Sequence, residues 1–179
     1  MKKMLIILLF TGTICYGQEK DSISDLNKNR TEIKFNAFAI TATSSLELEI
    51  ERTLSKRSSV GLSFFTNFKD PEDELVYNGI QNSLTAYYRF YLGKKYNQGF
   101  FLEGFGMYNT SNSLLPGNAS PKRYTITKDF ALGLGIGYKY VTKKGLILQA
   151  NYGWGKNLLE PLNGESTLVR VGVSVGFSF

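Results

Sequence analysis

Three glutamates at alternate positions, Glu47, Glu49 and Glu51, form the densest group of reactive side chains in this sequence. Carboxylates this close can share a proton and do acid–base work, with neighbouring cations tuning their acidity. A β-strand, however, imposes the same spacing on any run of positions that face one way, because successive side chains point to opposite faces. On that reading the glutamates pair with cations and catalyse nothing, and the rest of the chain favours it. The sequence has no histidine, which removes the commonest general base, the Ser-His-Asp triad and the commonest zinc ligand together. No enzyme activity, metal or cofactor is expected. Asp70, Glu72, Asp73 and Glu74 around Pro71 carry oxygen ligands that suit a divalent cation, but read as a solvated acidic turn. The glycines of 133–137 and of Gly104-Phe105-Gly106 lie inside alternating segments with no helix pattern after them, so they read as packing glycines rather than a nucleotide loop. The triplets starting at Asn109 and Asn118 match the glycosylation acceptor, a motif too short to assign a role.

The N-terminus bears on where the chain resides. Lys2 and Lys3 precede a short apolar run from Met4 through Phe10 and a few residues beyond, and Cys15-Tyr16-Gly17 offers a small-x-small cleavage site, so 1–17 reads as a signal peptide. The run is about half the ~20 residues a spanning helix needs. A lipoprotein reading of Cys15 meets bulky Ile14 in the position before the cysteine, unlike the Leu-Ala-Gly-Cys acceptor pattern. Cleavage after Gly17 takes the only cysteine with it and leaves no thiol for a disulfide, a metal or a nucleophile. Losing Lys2 and Lys3 lowers the formal charge from +6 to +4. Spread along an exported chain, this excess argues against nucleic acid and for contact with acidic lipid or glycolipid. Residues 18–31 are polar, free of aromatics and without a period, as expected of a flexible leader. The remainder, 32–179, suits one domain.

From Glu32 onward eight alternating segments are expected: 32–40, 44–54, 58–68, 80–92, 99–109, 127–141, 145–155 and 166–179. At ~3.3 Å per residue and a tilt of ~40°, ten residues rise roughly 25 Å, the height of the apolar band of an outer-membrane barrel. The connectors alternate in length. Ser55-Lys56-Arg57, 93–98 and Thr142-Lys143-Lys144 are short, whereas 69–79, 110–126 and 156–165 are long, with Thr41 to Thr43 a short exception among the latter class. Short periplasmic turns and long external loops are the habit of such barrels. The last segment alternates without a fault: Val169, Val171, Val173, Val175, Phe177 and Phe179 fall on one side, and Arg170, Gly172, Ser174, Gly176 and Ser178 on the other.

Parity assigns a lipid-facing set that includes Ile33, Phe35, Ala37, Ala39, Leu46, Leu48, Ile50, Leu62, Phe64, Leu84, Leu102, Leu132, Leu134 and Leu148, and no charge falls in it. Its aromatics gather toward two rims: Phe90, Phe100, Tyr138, Tyr140, Phe177 and Phe179 at the short-turn end, and Phe68, Tyr108, Tyr152 and Trp154 at the long-loop end. Girdles of this kind place an apolar ring in lipid and a polar tip in water. The opposite parity holds Lys34, Glu47, Glu49, Glu51, Arg89, Glu103, Lys139 and Arg170, four cations and four anions. An eight-stranded barrel is just wide enough for side chains to fill, and unpaired buried charge is costly. A salt-bridged plug follows, with Gly133, Gly135, Gly137, Gly172 and Gly176 making room for the long charged side chains.

The signal peptide, the eight alternating strands, the Gly-Phe-Ser-Phe terminus and the basic short turns together resemble the small bacterial outer-membrane β-barrels of OmpA/OmpX type. Ile33 to Ile50 followed by Ser58-Ser59-Val60-Gly61-Leu62 is similar to small-barrel families described as domains of unknown function. The resemblance covers nearly the whole mature chain. It implies an all-β, eight-stranded antiparallel up-and-down transmembrane barrel in the bacterial outer membrane, and recognition of the terminal segment ending in Phe179 by the barrel-assembly machinery. It supplies no active site. Three functions remain open: a plugged barrel that serves the envelope or recognises an extracellular partner through loop-tip residues such as Leu75, Val76, Leu114 and Leu115; a narrow, porin-like channel for small or apolar solutes; and a soluble lipocalin-like barrel with its apolar face inward around a ligand.

Overall fold

A computed structural model describes residues 30–68, 80–93, 95–114, 124–159 and 167–179. The expected signal peptide, nearly all of the leader, the acidic tip and the loop residues Leu75, Val76 and Leu115 lie outside the described residues.

Eight strands form one closed sheet in sequence order, each antiparallel to the next: β1 (Thr31–Asn36), β2 (Ser45–Ser55), β3 (Ser58–Asn67), β4 (Ile80–Tyr91), β5 (Gly99–Leu114), β6 (Tyr124–Val141), β7 (Leu146–Asn157) and β8 (Thr167–Ser178). β1 pairs with β8 to complete the ring, and Thr31 and Phe179 exchange backbone N–H···O bonds of 3.0 Å at the seam. Both ends of the described chain therefore sit at the end of the barrel that carries the short turns. Closure leaves no free sheet edges where strands pair, the condition for crossing a hydrocarbon layer with β-structure. Among the described residues, no helix is long and apolar enough to cross a membrane.

The pleat sorts the side chains into two environments. Ile33, Phe35, Leu48, Ile50, Leu62, Phe64, Leu84, Leu102, Leu134 and Ile136 stand exposed on the outside, while Lys34, Glu49, Glu51, Arg89 and Lys139 are buried inside. A sheet that turns leucine, isoleucine and phenylalanine outward and ion pairs inward is inverted relative to a soluble barrel, and is stable only with lipid around it. The fold is an all-β, eight-stranded up-and-down transmembrane barrel. The lipocalin-like arrangement is overturned, since the apolar face lies outside.

Three expectations are corrected. Residues 37–40 do not continue β1 but open a helix, α1 (Ala37–Thr43). Asn36 caps it, its Oδ1 accepting from the N–H of Phe38 and Ala39, and Ser44 ends it in the left-handed conformation. The alternation of 37–43 also holds alanines that favour a helix, and the local cap decides between the two. Ala39 consequently turns into the core instead of toward lipid. The exceptional short connector at Thr41 to Thr43 disappears with this change, because α1 itself spans β1 to β2.

The second correction concerns the hairpin of β5 and β6, which extends well past the expected strand ends, from Tyr108↔Phe130 to Leu114↔Tyr124. Leu114 thus belongs to a strand and not to a loop tip. The polar run from Asn109 to Ser113 hid this extension: Asn109 and Ser111 still turn inward and are buried, but the outward Thr110 between them is polar, so the apolar alternation that marks a strand is lost.

The third correction concerns the inward glycines. A Cβ at Gly133 would collide with the ring of Phe105, at Gly137 with Phe101, and at Gly61 with Tyr87; at Gly176 it would meet the Ile33 carbonyl first and the Lys34 side chain next. Aromatic rings, more than the charges, need the missing side chains.

Candidate functional site

The interior of the barrel is the one place where chemically capable groups converge among the described residues. β2 carries Glu47, Glu49 and Glu51 inward on one strand; β1 adds Lys34, β4 Arg89, β5 Glu103, β6 Lys139 and β8 Arg170, and all eight are buried.

Glu51 is the hub. Its Oε2 accepts from Lys34 Nζ and Arg89 Nη1, each at 2.5 Å, and its Oε1 from Lys139 Nζ (2.9 Å), Tyr91 OH (2.8 Å) and Ser59 Oγ (2.6 Å). Arg89 forks further, giving Nε to Glu103 Oε2 at 2.7 Å and Nη2 to Glu49 Oε2 at 3.4 Å. Glu103 then bridges to Arg170, whose Nη1 donates to its Oε1 at 2.9 Å while Nη2 reaches Glu47 Oε1 at 3.1 Å. Ser63 Oγ and Asn36 Nδ2 complete Glu47 at 2.6 and 2.8 Å, and Ser174 Oγ donates to Glu49 at 3.1 Å. The pairs thus form a single connected network from wall to wall.

Aromatic rings complete the cations' surroundings. The Arg89 guanidinium stacks 4.1 Å from the Tyr87 ring centroid and 4.7 Å from that of Phe101, Lys139 Nζ lies 4.7 Å from Tyr91, and Arg170 5.0 Å from Phe105. A ring face attracts a cation more strongly once water is excluded. The rings also fill the space that the glycines of the neighbouring strands leave free, which joins the packing and the electrostatics in one layer.

Several partners escaped the sequence reading. Glu32 holds Lys139 Nζ at 2.9 and 3.0 Å and makes a fifth carboxylate against four cations in the network. Gln149 Oε1 accepts from Lys34 Nζ and Arg89 Nη1 at 2.9 and 2.8 Å. Parity carried both signals, since Glu32 lies two positions before Lys34, and Gln149 shares the inward register of β7. Tyr87 and Tyr91 have the inward parity of Arg89, but only the fold shows that their hydroxyls reach the glutamates.

Chemically the arrangement holds charge in place. The carboxylates accept from fixed donors on several sides, and among the described residues no group of three metal-ligating side chains is arranged to hold an ion. The girdle residues lie on the outer wall: Phe90, Phe100, Tyr138, Tyr140, Phe177 and Phe179 toward the short-turn end, with Phe100 edge-on to Tyr138 at 5.0 Å, and Phe68, Tyr108, Tyr152 and Trp154 toward the other. β5 continues six residues beyond Tyr108, so the protein stands above that girdle on the hairpin side.

Fold and interior together define the class: a small transmembrane β-barrel with a filled, ion-paired lumen. Residues 4–160 match the family described as "Protein of unknown function (DUF3575)", and the chain belongs to it. Similar solved structures include the N-terminal β-barrel domain of Pseudomonas aeruginosa OprF, 18% identical over 86% of this chain and 98% of that one with a TM-score of 0.49. Another is Neisserial surface protein A, NspA, 13% identical over 84% and 92% of the two chains with a TM-score of 0.39. No curated protein matches this chain.

Proposed function

We propose that this protein is a non-enzymatic barrel of the bacterial outer membrane, closed by its own side chains, that acts through its outer surfaces by supporting the envelope or by contacting an extracellular partner with the segments beyond its long-loop rim. The observation that carries this reading is the convergence of Lys34, Arg89 and Lys139 on the single carboxylate of Glu51, which fills the cross-section of the lumen. Moving a solute past Glu51 requires separating ion pairs whose side chains are fully buried, a cost of several kcal/mol per charge. The short-turn end then faces the periplasm. Export by the N-terminal signal and insertion through recognition of Phe179 by the barrel-assembly machinery belong to the same proposal, supported by the apolar alternation of β8 and the exposure of Phe179 on its outer face.

Planar-bilayer recording of the folded protein tests it. No discrete conductance steps are expected from the wild type. Steady, frequent openings at neutral pH, or solute flux into liposomes, would replace this reading with the narrow channel.

A further inference from the structure

The lipid-facing wall has a gap. Across β2 to β5 lies a hollow of about 620 Å³, bounded by Ile50, Val60, Leu62 and Tyr88 around Ala86 and Gly104. A Cβ built on Gly104 would meet nothing within 4 Å, so this glycine does not serve internal packing, contrary to the expectation from sequence. Small side chains here leave the wall thin where the flanking positions carry large ones.

Arg52 lines the same hollow. It has the outward parity of Ile50 and Leu48, is exposed, and stands three residues before the end of β2 at the short-turn end. Its Nη1 donates to Thr31 Oγ1 at 2.7 Å, which steadies the guanidinium, and among the described residues it forms no ion pair. A guanidinium carries five N–H donors and no acceptor, and on a lipid-facing wall it is costly unless it meets the interface or an anion. Its planar fork matches two oxygens of a phosphate.

We propose that this hollow is a binding site for one anionic phospholipid of the leaflet at the short-turn end, with an acyl chain lying over Ala86 and Gly104 and the phosphate on Arg52. The apolar lining and the single unpaired cation at its margin match the two halves of such a molecule. The site rests on the membrane placement proposed above.

The test uses the mature protein folded in vesicles of equal parts phosphatidylcholine and phosphatidylglycerol, then released and weighed by native mass spectrometry. The wild type is expected to retain one phosphatidylglycerol in preference to phosphatidylcholine. Arg52→Gln should lower that preference by about tenfold, the worth of a charge-assisted hydrogen bond, and Gly104→Leu, which fills the hollow, should abolish retention of either lipid. Both variants should keep the boiling-dependent gel shift of the folded barrel. Equal retention of the two lipids by the wild type, or unchanged retention in both variants, overturns the site while leaving the barrel in its membrane. A dimer that Gly104→Leu disperses overturns it in favour of a second copy of the chain. Failure of the wild type to insert or to shift removes the membrane placement itself.

Discussion

Glu51 illustrates what a single side chain does in this lumen. It accepts from Lys34, Arg89 and Lys139 and from the hydroxyls of Tyr91 and Ser59, donors on four different strands, so its carboxylate offsets positive charge that would otherwise repel across a few ångströms. Replacing Glu51 with glutamine keeps the volume and removes the charge. The expected cost is about 3–5 kcal/mol, the range for breaking a buried ion pair from one side, read as a lowered urea midpoint in lipid vesicles. Trp154, the only tryptophan, stands exposed on the lipid-facing wall and reports the transition by its fluorescence. The charges of this network were legible in the alternation of β2 alone, because parity fixes their side of the sheet. Which cation meets which carboxylate was not, because that depends on how far each strand is staggered against its neighbours, and Lys139 and Glu32, 107 positions apart, meet only through closure of the ring.

At the scale of the elements, sheet and core are tied together by pairs of an inward aromatic and a glycine on the adjacent strand. Phe101 pairs with Gly137 and Phe105 with Gly133 across β5 and β6, each ring occupying the space a Cβ would take. Gly137→Val is expected to destabilise the barrel by about 1–3 kcal/mol through overpacking. Adding Phe101→Leu should restore a substantial part of that loss in the same unfolding experiment; no recovery would mean that the glycine is required by the nearby Ala150 carbonyl and not by the ring. Strand positions were read well where one face meets lipid and the other the lumen. They were misread at 37–43 and beyond Asn109, where that contrast is absent. In the first case Asn36 intervenes: its side chain caps α1, accepts from Val173 N–H at 3.1 Å and donates to Val171 O at 3.3 Å, standing in for the strand residue that β8 would otherwise pair with.

For the whole molecule, an apolar exterior and an ion-paired interior make the folded state dependent on lipid or detergent. Folded barrels of this build resist detergent until heated, since every paired strand must part before the ring opens. The membrane-fraction protein is therefore expected to migrate faster unboiled than boiled on a detergent gel. A soluble protein with no shift would contradict the assignment of the outer wall to lipid. In the sequence Arg52 is a lone cation near the end of an otherwise apolar face of β2, and only the arrangement of β2 to β5 sets it beside a hollow.

The sequence by itself determined the number of crossings, the side of the sheet faced by residues within the strands, the short-turn end of the barrel and the absence of histidine chemistry. These follow from the period of two and from composition, which are local properties of the chain. Only the tertiary structure decided the partners within the lumen, the helix that replaces the end of β1, the rings seated on glycines and the hollow beside Arg52. Each depends on stagger and closure, which place residues from distant strands within bonding distance through backbone hydrogen bonds that every residue type makes alike.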